Sequence, residues 1–363
     1  MENLRIPGPT PLPEEVLQSM TKQMINHRGP EFGQMLNEIT GELKQLFQTK
    51  ADIFLLTGSG TGGLETAIVN VLSPGDKVLS VSIGVFGERF AAIAGQFGAE
   101  VVPLRFEWGK AADPDAVRQV LNNEPKIKAV LVTHNETSTG VTNDLTAISS
   151  VVKGFDKLLV VDAISSLGSI DMPVDDWHID VAVTGSQKGW MVPPGLAMVS
   201  VSEAAWQAHS AAKMPRFYWD FSKARSYLEK GQTPWTPAVS VVFALAVSLK
   251  MMLKEGLPNI ISRHARIGQL TRDSIKSLGL PLFADGKHAS NTVTSVAAAN
   301  GLDTKKLVKI MREEYHTILG GGQQRLDGQI FRIGHLGWVT EADIEAVVSA
   351  LSSALPQAGF RGS

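Results

Sequence analysis

The stretch Ile53-Phe54-Leu55-Leu56-Thr57-Gly58-Ser59-Gly60-Thr61-Gly62-Gly63 runs from an apolar segment through a glycine-rich turn into the helix-like segment Gly62–Leu72. Strand, glycine turn and helix in that order make the first half of a βαβ unit. Further apolar runs follow at Val78–Val81, Val101–Leu104, Ala129–Val132, Leu158–Val161, Val181–Val183 and Ala197–Val201. Most are continuous and rich in β-branched residues, so they read as strands buried on both faces. Helical patterns such as Phe86–Phe97 separate the early runs. The expected fold class is α/β: a mainly parallel seven-stranded sheet with helices on both sides.

The texture changes toward the C-terminus. Val239–Leu253 and Pro258–Leu278 read as long helices, and Thr292–Ala297 and Gln329–Ile333 as strands, each followed by a helix. Asp303 is placed to cap one of these helices, with Leu302 and Leu307 at the spacing of a hydrophobic staple, and Thr340 with Asp343 makes a capping box for the last. The expected organisation is an N-terminal arm over 1–20, a large α/β domain over 21–245 and a smaller C-terminal α+β domain over 246–363. Helices at Glu14–His27 and Glu31–Gln48 are expected to pack against one or both.

The chain has 363 residues, 34 basic and 36 acidic side chains, a net charge of −2 and no cysteine. The charge balance supplies no basic field for nucleic acid or an acidic membrane. Without cysteine there is no thiolate nucleophile, disulfide framework or cysteine-held metal or iron–sulfur centre. The proline-rich start lacks the apolar core of a secretory signal, and no run approaches the ~18 apolar residues of a membrane span, so a cytoplasmic protein is expected.

Three features carry chemistry. The turn at 57–63 offers backbone N–H groups and the Ser59 and Thr61 hydroxyls at a helix N-terminus, a natural seat for phosphate. It lacks the lysine of a Walker loop and the spacing of a dinucleotide fingerprint. Asp162 ends the apolar run Leu158–Val161, at the sheet edge where open α/β folds place ligands, and a buried carboxylate there calls for a cation. Lys188, in Thr184-Gly185-Ser186-Gln187-Lys188-Gly189-Trp190, is the one lysine or arginine between Lys157 and Lys213. An amine in such surroundings has a lowered pKa and becomes nucleophilic. Phosphate seat, strand-end carboxylate and desolvated lysine, in that order, are what pyridoxal 5'-phosphate requires: an anion cradle, a partner for the ring nitrogen and an amine for the Schiff base.

The sequence resembles the fold-type I, class V aminotransferases, and within them the alanine–glyoxylate, serine–glyoxylate and serine–pyruvate group. The resemblance spans nearly the whole chain and rests on Thr57-Gly58-Ser59-Gly60-Thr61, Thr133-His134-Asn135-Glu136-Thr137-Ser138-Thr139-Gly140, Val161-Asp162, Ser186-Gln187-Lys188 and Arg332-Ile333-Gly334. It implies that Lys188 joins the cofactor and shuttles the substrate proton, and that Asp162 pairs with the ring nitrogen. Ser59, Gly60, Thr61 and Gln187 hold the phosphate by the same resemblance, Ser138 lies near the ring, and Thr236 reaches the phosphate from a neighbouring subunit of a homodimer. Arg332 matches the arginine that takes the substrate carboxylate. Two positions depart from the family: Phe86 stands where a tryptophan stacks on the ring, and Thr233 where some members have tyrosine. Phe86 remains the stacking candidate. Trp190 is expected to pack, and Pro7–Pro13 and His27-Arg28 to shape the substrate site.

The implied reaction is ping-pong transamination from a small amino acid, alanine or serine, to glyoxylate or pyruvate. Ureidoglycine–glyoxylate and 2-aminoethylphosphonate–pyruvate aminotransferases are the alternatives. The missing cysteine excludes a cysteine desulfurase, and an intact Lys188, Asp162 and Arg332 argue against a non-enzymatic accessory subunit.

Overall fold

The computed structural model describes residues 2–361. Strands are β1 (Asn3–Arg5), β2 (Asp52–Thr57), β3 (Lys77–Ser82), β4 (Glu100–Arg105), β5 (Ile127–Thr133), β6 (Asn135–Glu136), β7 (Val141–Thr142), β8 (Leu158–Asp162), β9 (Val181–Gly185), β10 (Leu196–Val201), β11 (Val293–Ala297), β12 (Thr317–Gly321) and β13 (Ile330–Gly334). Helices are α1 (Glu14–Ser19), α2 (Pro30–Phe47), α3 (Gly60–Val71), α4 (Val85–Gln96), α5 (Pro114–Asn123), α6 (Leu145–Gly154), α7 (Glu203–Ala211), α8 (Phe221–Leu228), α9 (Val239–Glu255), α10 (Leu257–Ser277), α11 (Thr304–Glu313) and α12 (Glu341–Gln357).

The seven expected strands form one sheet in the order β2-β10-β9-β8-β5-β3-β4. Only β10 runs antiparallel to its neighbours. In all but β4 the continuous apolar sequence is explained by burial on both faces; β4, at the sheet edge, is exposed or half-buried along its length. In β8, Leu159 and Val161 join a core with α2, α6 and α9, whereas Val160 joins one with α3, α4 and α8. Two-sided burial also removes the polar alternation that would otherwise mark a solvated face.

A second sheet, β1-β12-β13-β11, packs with α10, α11 and α12 around a third core containing Leu307, Phe331, Ile333 and Leu351. Asp303 caps α11 through Lys306 N, and Thr340 and Asp343 form the expected capping box on α12. β12 and β1 were not expected. Thr317-Ile318-Leu319-Gly320-Gly321 is short and ends in two glycines, and Asn3–Arg5 forms a strand only by parallel pairing with β12. Arg5 then secures it with a 3.0 Å ion pair to Asp343.

The helix expected over Glu14–His27 is corrected to Glu14–Ser19. The Thr21 hydroxyl donates to the Gln18 carbonyl at its C-terminal end, and the Asn26 side chain accepts from Arg28 N in a local turn. Both bonds offer the backbone an alternative to continuing the helix.

Candidate active site

Because β10 is antiparallel to both β2 and β9, β2 is parallel to β9, and six strands end at one sheet edge, five of them leading to the site. Beyond that edge β2 delivers Ser59 and Gly60, β3 delivers Phe86, β5 leads into the β6–β7 hairpin, β8 ends on Asp162, and β9 leads to Gln187 and Lys188. This is the crevice where open α/β sheets bind ligands.

A cavity of about 220 Å³ lies there, lined by Ser59, Gly60, Thr61, Phe86, Gln187 and Lys188, with Arg89, Ile164 and Gly8 completing its wall. Ser59 is the N-cap of α3 yet its side chain makes no capping bond, leaving the first-turn N–H groups and the hydroxyl facing the cavity's anion end. The Gln187 side-chain oxygen is buried without a hydrogen-bond partner among the described residues. A Cβ on Gly185 would fall 2.9 Å from that oxygen and 3.5 Å from the Gly60 nitrogen, so the amide and the helix start face each other. Turning the amide over presents its NH₂ to the same space. These unmet groups, beside a buried amine and carboxylate, fit pyridoxal 5'-phosphate: Ser59, Gly60, Thr61 and Gln187 would hold its phosphate, Phe86 its ring face and Asp162 its ring nitrogen. A larger open groove of about 470 Å³ between α7 and α8 shows no such unmet set; its Arg225 already pairs with Asp52 at the opposite end of β2.

Lys188 is buried, and its ammonium group donates to the Pro7 carbonyl. Burial first and the charge of Arg332 second, against the pull of Asp162, lower its pKa from 10.5 to about 8. Asp162 is raised from 3.8 to about 7, mainly by burial, while the Ile164 N–H at 3.0 Å opposes the shift. A carboxyl held that high is short of a cation, and a protonated ring nitrogen would supply one.

Arg332 sits in β13, opposite Ser295 and Gly320. Its Nε donates to the Gly321 carbonyl at 2.9 Å, and Nη1 donates to Thr137 O at 2.9 Å and Gln323 Oε1 at 3.2 Å. Burial lowers its pKa to about 10. No carboxylate pairs with it among the described residues. The guanidinium's direct contacts are all neutral oxygens, with the Glu136 charge nearby, and its Nη2 is left to donate to a substrate carboxylate.

The remaining sequence candidates separate. Ser138 is fully buried; it donates to Glu136 and accepts from Val85 N at 3.0 Å, at the start of α4. Thr236 is exposed and outside the cavity, and Thr233 donates to the Trp235 carbonyl. Trp190 stacks on Phe47 with centroids 5.6 Å apart and is fully buried, the expected packing role. Arg28 turns away from the site and donates to the carbonyls of Thr233 and Pro234, pinning that loop. The Pro7–Pro13 segment does shape the site. Thr10 donates from N to Gln187 O and from its hydroxyl to Lys188 O.

Sequence reasoning missed Glu136 and Arg89. Glu136 lay inside a quoted motif, and an acid in an otherwise uncharged strand-end segment was the available clue; Arg89 lies one helical turn beyond Phe86, with its guanidinium 4.8 Å from that ring. Gly8, within the Pro7–Pro13 segment, contacts the lysine itself. It has φ +137°, and a Cβ there would come within 2.7 Å of the Lys188 amine. Gly8→Ala is therefore expected to push the amine aside and lower kcat/KM about 100-fold. Steady-state kinetics check this, and an unchanged value would remove Gly8 from the positioning of Lys188.

An open α/β sheet with a phosphate cradle, strand-end aspartate and buried lysine at its carboxyl edge defines a fold-type I pyridoxal phosphate enzyme. Residues 3–327 match the family described as aminotransferase class-V. The chain belongs to that family, is an aminotransferase and uses pyridoxal 5'-phosphate. It is 46% identical over 359 residues to a protein of Anabaena cylindrica named soluble hydrogenase 42 kDa subunit, covering 98% of this chain and 94% of the relative. It is 39% identical to L-aspartate–glyoxylate aminotransferase of Paracoccus denitrificans (93% and 87% covered) and 35% to serine–glyoxylate aminotransferase of Methylorubrum extorquens (99% and 92%). Among solved structures, ureidoglycine–glyoxylate aminotransferase of Bacillus subtilis superposes with TM-score 0.96 at 29% identity, covering 100% of this chain and 95% of the other. The alanine–glyoxylate aminotransferase of Nostoc superposes with TM-score 0.94 at 28% identity, covering 98% and 95%. Among the described residues, no helix is long and apolar enough to cross a membrane.

Proposed function

We propose that the protein transfers the amino group of a small α-amino acid, alanine or serine, to glyoxylate or pyruvate by a ping-pong exchange. The observation that carries this reading is Arg332, a buried guanidinium without a carboxylate partner whose charge reaches Lys188. An α-carboxylate on Arg332 sets the α-carbon beside the lysine. The Pro7–Pro9 strap bounds the same space and favours short side chains. The glyoxylate enzymes among the relatives support the acceptor.

The cofactor, when bound, supplies an electron sink for the carbanion left by proton loss. The chain's own groups do the rest. Asp162 holds a proton on the ring nitrogen. The Lys188 amine, kept near neutrality by its lowered pKa, takes the α-proton and returns one. Ser59, Gly60, Thr61 and Gln187 anchor the phosphate end, and Phe86 covers one ring face with Ser138 at the start of its helix.

The proposal extends to a cytoplasmic homodimer with shared active sites, in which the exposed Thr236 completes the partner's phosphate seat. The hydrogenase name belongs to the Anabaena relative and is not carried to this chain.

Single-turnover mixing with candidate donors tests the substrate. Alanine or serine is expected to bleach the yellow band of the lysine-bound cofactor, with glyoxylate restoring it. If only ureidoglycine, aminoethylphosphonate or aspartate bleaches the band, the assigned donor is wrong.

A further inference from the structure

Glu136 is a fully buried carboxylate outside any of the roles above. Its Oε2 accepts from Phe86 N at 3.0 Å and Gly87 N at 3.1 Å, and its Oε1 from Ser138 N at 3.1 Å and the Ser138 hydroxyl at 2.6 Å. Phe86 and Gly87 are in the first turn of α4, where backbone donors have no intrahelical partner. The N-cap of that helix is Gly84, which has no side chain to supply one. Chemistry normally provided by a capping Ser or Asp thus comes from a different part of the chain. Gly84 is itself adapted to this: a Cβ there would stand 2.5 Å from Glu136 Cγ and 2.5 Å from Ser138 Oγ.

Two further observations give the contact a direction. The first side chain α4 sends into the cofactor cavity is Phe86. Thr137, next in the same hairpin, takes the Arg332 guanidinium on its carbonyl at 2.9 Å. One hairpin therefore holds both the aromatic wall and the arginine. Burial pushes the Glu136 carboxyl above its usual range, and the four donors oppose that shift. Desolvating a carboxylate merely to secure a helix end would be costly where a Ser at position 84 could have capped locally.

We propose that Glu136 is a positioning residue that caps α4 from the β6–β7 hairpin and thereby fixes the Phe86 ring against which the cofactor stacks. The inference rests on the stacking role assigned to Phe86. It predicts that Glu136 and Phe86 act on the cofactor as a unit.

The test is a double-mutant cycle on the full-length protein with pyridoxal 5'-phosphate as the probe. Its readouts are the dissociation constant from visible absorbance and the induced circular dichroism of the bound ring. Glu136→Ala and Phe86→Ala are each expected to weaken cofactor binding about tenfold and reduce the dichroic band. The double variant is expected to match Phe86→Ala alone within about twofold, because coupled residues are not additive. Glu136→Gln, which retains the volume and one acceptor oxygen, is expected to recover part of the band, and it replaces Glu136→Ala in the cycle if the alanine variant does not fold. Wild-type binding and dichroism in both Glu136 variants would overturn the proposal, as would multiplicative effects in the double variant. An unchanged signal in Phe86→Ala overturns the stacking assignment itself, and the inference with it, so the two failures are distinguishable.

Discussion

Lys188→Ala is expected to lower amino-group transfer by on the order of 10⁴ and to abolish the yellow band of the covalently held cofactor. The size follows from the site. Asp162 and Arg332 carry charge but neither can move a proton to and from the α-carbon, and Lys188 is the buried amine in the cavity. Phosphate binding should survive, because Ser59, Gly60, Thr61 and Gln187 are untouched. Near-normal turnover in the variant would transfer the proton-shuttle role elsewhere and end the proposed mechanism. Removing the amine also has a pH-dependent signature in cofactor-free protein. The folded amine titrates at about 8, against an ordinary value of 10.5. Between those values the unfolded chain binds more protons, so stability rises with pH across that window. Below it the folded state bears the full cost of a buried ammonium, about 3 kcal/mol. Lys188→Met should therefore melt above wild type at pH 7, with the gap closing toward pH 10.5. A gap independent of pH would mean that packing, not charge, sets the difference.

The second large effect is expected at Arg332. Arg332→Ala should reduce kcat/KM for carboxylate donors by roughly 30- to several thousand-fold, the equivalent of about 2–5 kcal/mol for a desolvated charge pair. The lysine-bound band should persist, because the cavity that holds the cofactor is walled by other residues. Arg332→Lys is expected to recover little. The guanidinium is aimed by Gly321, Thr137 and Gln323 at once, and a single ammonium cannot keep those contacts while also donating to substrate. A shift confined to KM would assign Arg332 to uniform binding, whereas an equal fall in kcat would assign it to orientation of the reacting carbon. No change in either would remove the residue on which the substrate assignment stands.

The large sheet was legible because two-sided burial writes most of its strands as continuous apolar runs. Asp162 stood out as a charge ending such a run, and Lys188 as the one lysine or arginine between Lys157 and Lys213. β1 was not legible: Asn3-Leu4-Arg5 has no strand pattern of its own and becomes one only against β12. The end of α1 at Ser19 was hidden for a related reason, since the hydroxyl and amide bonds that close it are short-range competitors that leave no periodicity behind. Glu136 shows the limit most sharply. The residue was in view, but its function depends on Phe86 and Gly87, some fifty positions away, and proximity of that kind is not encoded in spacing. Thr236 is exposed, and the role proposed for it requires a second chain, which a linear pattern does not show.

The pairing of Asn3–Arg5 with Thr317–Leu319 joins segments distant in sequence. The strap that follows is tied down at two points: at one by that pairing and the Arg5–Asp343 ion pair, at the other by the Thr10 bonds to Gln187 and Lys188. Pro7 and Gly8, between the two ties, are held against the Lys188 amine. The wall over the lysine thus borrows its rigidity from the second sheet, and loosening that sheet would loosen the surroundings of the amine.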